Sequence, residues 1–197
     1  MNQQSLSLLA DAGVPMIVLT FPAMAVLLLP IILVEAWFLR KWIALGAWDA
    51  AKSSAVANIA STLVGVPAAW AVMLCVEFGV FWSVAKLNLL SQASEKWNSP
   101  IARLVTTLLS APWLGPDEKN LYWMVPVAVL GLMVPTFFAS VWIEAFIVEK
   151  MAGGTDEGSS NPAHIRIAVR NANLISYCLL AVGTVIWLLH SLLNPPR

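Results

Sequence analysis

Four long stretches of this chain carry no charged residue. They lie between Asp11 and Glu35, between Lys52 and Glu77, between Lys119 and Glu144, and between Arg170 and Arg197. Each exceeds the ~20 apolar residues that take a helix across a ~30 Å hydrocarbon layer. A helix facing water would show a polar stripe, and these stretches have none. The chain therefore reads as an all-α integral membrane protein with four transmembrane helices. Its 11% of charged residues fall well below the roughly one quarter of a soluble domain. The formal net charge is zero, so the basic footprint of a nucleic-acid binder is missing and the lipid bilayer is the expected partner.

Helix boundaries follow from prolines, caps and boundary residues. The first helix is expected over about Val14–Phe38, bent by Pro15, Pro22 and Pro30, since each proline removes a backbone donor. Arg40 and Lys41 with Trp37 and Trp42 mark a membrane–water boundary. Asp49 is the expected N-cap of a second helix over about Ala50–Leu90. At 1.5 Å per residue that helix would reach ~60 Å, with a bend at Gly65-Val66-Pro67. Ser99-Pro100 opens a short helix to Ser110, with Ile101, Leu104, Val105, Leu108 and Leu109 at one-faced spacing. Too short to span, it reads as an interfacial helix with Leu104 and Leu108 facing inward. Asp117-Glu118 precede a third helix ending near Val148, and residues 151–160 form a polar loop. Asn161-Pro162 open a fourth, which runs to about Leu193. The expected organisation is one membrane domain over 1–197: a first hairpin at 14–90, an interfacial connector at 91–120 and a second hairpin at 121–197. No secretory signal peptide is expected, because Asp11 precedes the first apolar run and no Lys or Arg leads it. That Lys/Arg-free N-terminal segment places both termini outside and the two hairpin loops inside.

The two hairpins look like copies of one another. Val34-Glu35-Ala36-Trp37 and Lys41 match Ile143-Glu144-Ala145-Phe146 and Lys150, and Ala57-Asn58-x-x-Ser61 matches Ala172-Asn173-x-x-Ser176. With two spans per copy both would point the same way, so the pseudo-axis would lie along the membrane normal. Glu35 ends one helix and Asn58 begins its antiparallel return, so both come near the loop end. The candidate polar clusters are therefore Glu35 with Asn58 and Ser61, and Glu144 with Asn173 and Ser176. Each is read first as a hydrogen-bonded clasp that closes its own hairpin, at about 0.6–2 kcal/mol per bond. The competing reading is binding or proton handling, the default for an ionisable group inside a membrane.

Other chemistry is not indicated. His164 and His190 stand far apart, no C-x-x-C or H-x-x-x-H occurs, and Gly153-Gly154 lack a following Gly-Lys-Ser, so neither metal, cofactor nor catalytic set is expected. Cys75 and Cys178 read as apolar packing residues without a disulfide. Most of the ten Trp residues fall near span ends, as an aromatic belt requires. The hairpin pattern has the general look of small bacterial membrane proteins, which implies the inner cell membrane and no particular activity. The leading expectation is a non-enzymatic accessory or scaffolding subunit of a membrane complex, partnered by other membrane subunits or by itself. The alternative is a small-solute or ion transporter or channel using Glu35 and Glu144.

Overall fold

The computed structural model describes residues 14–86, 99–115, 119–152 and 161–195. The N-terminal tail, residues 87–90 of the expected second helix, most of the connector, Asp117-Glu118 and loop residues 153–160 lie outside the described residues. The described residues are all-α apart from one short antiparallel bridge between β1 (Val14–Pro15) and β2 (Trp113–Leu114). The helices are α1 (Met16–Ile43), α2 (Ala47–Lys86), α3 (Pro100–Leu109), α4 (Leu121–Ala152) and α5 (Pro162–Leu193). All but α3 are long and apolar enough to cross a membrane.

The ends of these helices show which local signals prevailed. α1 runs on through Pro22 and Pro30 and past the expected end at Phe38. It stops where Ala44 takes a left-handed backbone at φ 56°, the conformation that ends many helices and that glycine adopts at least cost. Only Ala44, Leu45 and Gly46 separate α1 from α2, so α2 begins three residues before its expected start. Gly46, with φ −55° and ψ 151°, is its N-cap, and Asp49 sits in the first turn instead of capping it. A carboxylate there still meets the positive end of the helix dipole. Ser99 and Asn161 cap α3 and α5 as their sequences require: Ser99 Oγ accepts from the Ala102 amide at 3.2 Å and Asn161 Oδ1 from the Ala163 amide at 3.0 Å. At α4 the residue in the capping place is Asn120. Its carbonyl accepts from the amides of Trp123 and Met124, and its Oδ1 from Trp123 Nε1 at 3.1 Å.

Inside α2, Ser61–Gly65 form a π-helical segment in which the Val66 amide donates to the Ser61 carbonyl. It ends one residue short of Pro67, whose missing N–H leaves the ordinary α ladder incomplete. The widened turn is where the sequence was expected to bend.

The chain forms two compact units. The first comprises Met1–Thr20, Trp70–Leu132 and Gly183–Arg197, and the second Phe21–Ala69 and Met133–Val182. Each draws on both expected hairpins, because every long helix contributes to both. In the first unit, Met16, Ala111, Leu114, Ala128 and Leu132 form the core, with Met73, Leu121, Met124, Val125 and Val129 packed against it. One carbonyl ties this unit together: Pro112 O accepts from the Met16 amide at 3.0 Å and from Trp70 Nε1 at 2.9 Å. A Cβ on Gly131 would stand 3.1 Å from Leu108 Cδ2 and 3.4 Å from Ala111 Cβ, so glycine permits the approach of α3 to α4. Leu108 is half-buried there, whereas Leu104, also expected to face inward, is exposed with Ile101 and Val105. The buried residue of α3 is Thr107. Its hydroxyl donates to the Arg103 carbonyl one turn earlier, as those of Thr106 and Ser110 do to theirs, so these polar groups are satisfied within the helix.

In the second unit the core is built largely of small residues. Ala50, Ala57, Ala145, Ala152 and Ala168 interleave with Leu39, Ile43, Val148, Ile165 and Val169. Small residues let helix backbones approach closely, which is how helices associate where no hydrophobic drive separates them from lipid. Gly65 belongs to the same device, since a Cβ on it would stand 3.1 Å from Ile143 Cδ1 and 3.5 Å from Ala139 Cβ. Close backbones also bring short polar side chains within bonding range of one another, and that is what places the site.

Candidate functional site

All six residues of the two candidate clusters meet in the second unit as a single buried cluster. Glu35 and Glu144 are 2% and 3% exposed, and Asn58, Ser61, Asn173 and Ser176 are buried with them. Glu35 comes from α1, Asn58 and Ser61 from α2, Glu144 from α4, and Asn173 and Ser176 from α5.

The asparagines bond as sequence adjacency suggests. Asn58 Nδ2 donates to Glu35 Oε2 at 2.6 Å, and Asn173 Nδ2 donates to Glu144 Oε2 at 2.7 Å. The serines do not. Ser61 donates to Glu144 Oε1 at 2.7 Å, and Ser176 donates to Glu35 Oε1 at 2.6 Å. The expected clasp of each hairpin upon itself is corrected on this point: each carboxyl group takes its amide from its own hairpin and its hydroxyl from the other. The cause is angular. Residues three apart on a helix differ in direction by about 60°. Asn58 and Ser61 therefore point to different neighbours, one to α1 and the other to α4. The exchange places the two carboxyl groups side by side, within hydrogen-bonding contact of each other. The sequence suggested two separate acidic clusters, and the folded chain has one.

The surroundings extend the site along α4. Thr136, Ser140 and Glu144 are all buried and stand one turn apart on one face. The opposite face carries Val134, Phe138, Trp142 and Phe146, each more than half exposed. The polar face thus turns inward and the apolar face outward, the arrangement required where the exterior is lipid. Tyr177, one residue past Ser176, puts its hydroxyl 3.0 Å from Ser140 Oγ and also bonds Thr136. Its ring packs edge-on against Phe137, with centroids 5.3 Å apart. These three hydroxyl residues were not singled out from the sequence. The signal that could have found Thr136 and Ser140 is their i, i+4, i+8 spacing with Glu144 in an otherwise apolar helix.

The two halves of the cluster differ in detail. Asn58 Nδ2 also reaches the Ser54 carbonyl at 3.0 Å and Ser54 Oγ at 3.3 Å, and Ser54 in turn donates to the Ile32 carbonyl. On the other side Val169 stands in the place of Ser54. Asn173 Nδ2 bonds the Val169 carbonyl at 3.2 Å, and Asn173 Oδ1 is buried with no partner. At the loop end of the second hairpin Glu149 and Arg166 form an ion pair between α4 and α5.

Glu77 belongs to the first unit and is not part of the cluster; its Oε2 is buried without a partner. Cys75 and Cys178 are free thiols on exposed faces, not packed in a core. Among the described residues no group of His, Cys, Asp and Glu has the makings of a metal site. No protein-family model, curated protein or solved structure matches the chain. Fold and site together define an all-α chain with four helices suited to crossing a membrane and one enclosed pair of carboxyl groups.

Proposed function

We propose that this chain is an integral, multi-pass membrane protein of a cell membrane, built from two duplicated hairpins, that acts as a small-solute or ion transporter or channel with Glu35 and Glu144 as its ionisable centre. The observation that carries the proposal is the exchange of serines: Ser176 serves Glu35 and Ser61 serves Glu144, with the two carboxyl groups in contact. Two copies facing each other across a pseudo-two-fold axis would make this exchange, so it also supports the duplication read from the sequence. A carboxylate oxygen accepts hydrogen bonds, and one that gains a proton becomes a donor. The serine bonds that join the hairpins thus depend on whether each carboxyl carries a proton. Loading or releasing that proton shifts the balance between packed and separated hairpins, which is the coupling a carrier needs. A purely mechanical latch would hold as well with two glutamines, without the cost of an ionisable group inside a membrane.

One observation favours a second reading, a non-enzymatic accessory or scaffolding subunit. All four carboxyl oxygens already hold a protein donor, as a permanent latch would require. Infrared difference spectroscopy of the purified protein during a change of perfusion pH separates the two. A carrier centre gives a carboxylic C=O band that appears and vanishes with pH and is lost in Glu35→Gln and Glu144→Gln. A band unchanged across the whole range in which the protein stays folded refutes the carrier reading and leaves the latch.

A further inference from the structure

Resting on the proton-handling reading above, we propose that the hydroxyls of Tyr177, Ser140 and Thr136 are the route by which protons reach and leave the Glu35–Glu144 pair. The groups lie in one unit and in one line. Thr136, Ser140 and Glu144 occupy successive turns of α4, so the line spans eight residues, about 12 Å along the helix. Tyr177 of α5 bridges the first two, with Oη 3.0 Å from Ser140 Oγ and bonded to Thr136. Thr136 Oγ1 donates onward to the Met133 carbonyl at 3.0 Å. Between Ser140 and Glu144 lies one turn, about 6 Å of helix rise, and the route places a single bridging water there. The titratable side chains meeting here are Glu35 of α1, Glu144 of α4 and Tyr177 of α5, while α2 brings Asn58 and Ser61.

Each hydroxyl is both a donor and an acceptor, so the line conducts without being consumed. A proton given up by Glu144 passes through the water to Ser140 Oγ. The Ser140 proton moves to Tyr177 Oη and the Tyr177 proton to Thr136 Oγ1, while the Thr136 hydroxyl turns from the Met133 carbonyl and passes its own proton to a water molecule at the far end. Every oxygen in the line gains one O–H bond and loses one, and the charge lost by Glu144 is the charge delivered. Proton entry is the same sequence reversed. Placement supports transport over mere satisfaction of polar groups. Thr107 shows that a buried hydroxyl in this chain needs only its own helix carbonyl. Ser140 instead bonds across to Tyr177, and the tyrosine is adjacent in sequence to Ser176, the donor of Glu35.

The test is the rate at which the carboxyl infrared band responds to a rapid pH jump in the full-length protein. Tyr177→Phe keeps the ring on Phe137 and removes only the hydroxyl. It should slow the response at least about tenfold, the lower end of what a positioned proton-transfer group contributes, while the end-point spectrum stays that of the wild type. Ser140→Ala should do the same and Ser140→Thr should restore the rate. Phe138→Leu, on the exposed face, should leave it unchanged. Wild-type rates in both Tyr177→Phe and Ser140→Ala overturn the route while leaving the carrier reading intact. A wild-type band that never responds to pH overturns both.

Discussion

The exchange of serines makes an energetic claim that can be measured directly. Ser176→Ala removes the hydroxyl that donates to Glu35 Oε1, and Glu35→Leu removes the acceptor while filling a similar volume. Neither single variant isolates the bond. Ser176→Ala also gains about 0.5 kcal/mol of helix propensity, and Glu35→Leu also strands Asn58. The double-mutant cycle cancels both side effects and leaves the coupling of the pair. Hydrogen bonds between membrane helices average about 0.6 kcal/mol and reach about 1.7. At 2.6 Å and fully buried, this bond belongs at the upper end, so the coupling should be about 1–2 kcal/mol. The Ser61–Glu144 pair, at 2.7 Å, should give the same. The pairs within one hairpin, Ser61 with Glu35 and Ser176 with Glu144, are joined only through the touching carboxyl groups, so they should couple by less than the directly bonded pairs. Reversible unfolding in mixed detergent micelles, followed by tryptophan fluorescence, supplies the four free energies of each cycle. Coupling within the hairpins equal to or greater than coupling between them would refute the exchanged geometry.

Three further outcomes are expected. Ala44→Gly should raise stability by up to about 1 kcal/mol in the same unfolding assay, because the left-handed backbone at φ 56° costs alanine what it does not cost glycine. Trp70→Phe should lower stability by about 0.5–1.5 kcal/mol through loss of the bond to the Pro112 carbonyl, and a neutral result would show that the indole bond contributes nothing to the first unit. Cysteines introduced at Trp48 and Asn161, at the starts of α2 and α5, should be labelled by an impermeant reagent from the same side of the membrane; labelling from opposite sides contradicts four spans.

The long helices were legible because charge segregation is a strong signal: a run of more than twenty uncharged apolar residues admits few structures. Their ends were less so. Gly46 won the capping place over Asp49 because the loop needed only three residues, and loop length is not written in composition. At the site, Asn58 and Asn173 could be assigned because an antiparallel return brings them to the depth of the glutamate of their own hairpin. Ser61 and Ser176 could not. Each helix has more than one neighbour, and a sequence displays only the adjacent one. Tyr177 was hidden for a related reason, since its partners lie on α4, 37 residues back at Ser140. The π-helical turn of α2 was foreshadowed only as a bend before Pro67.

The exchange also bears on how the chain is made. Glu35 leaves the ribosome long before the residue that completes its site, since Ser176 follows it by 141 positions. At 5–20 residues per second that interval is roughly 7–30 s. Glu144 waits far less, because Ser61 has already been synthesised when it emerges and Asn173 follows it by only 29 positions. For most of its synthesis, therefore, the first hairpin carries a carboxyl group supported by Asn58 alone, and only the arrival of the last helix closes the cluster. Assembly then has a built-in order: the final helix to be translated is the one that relieves the first.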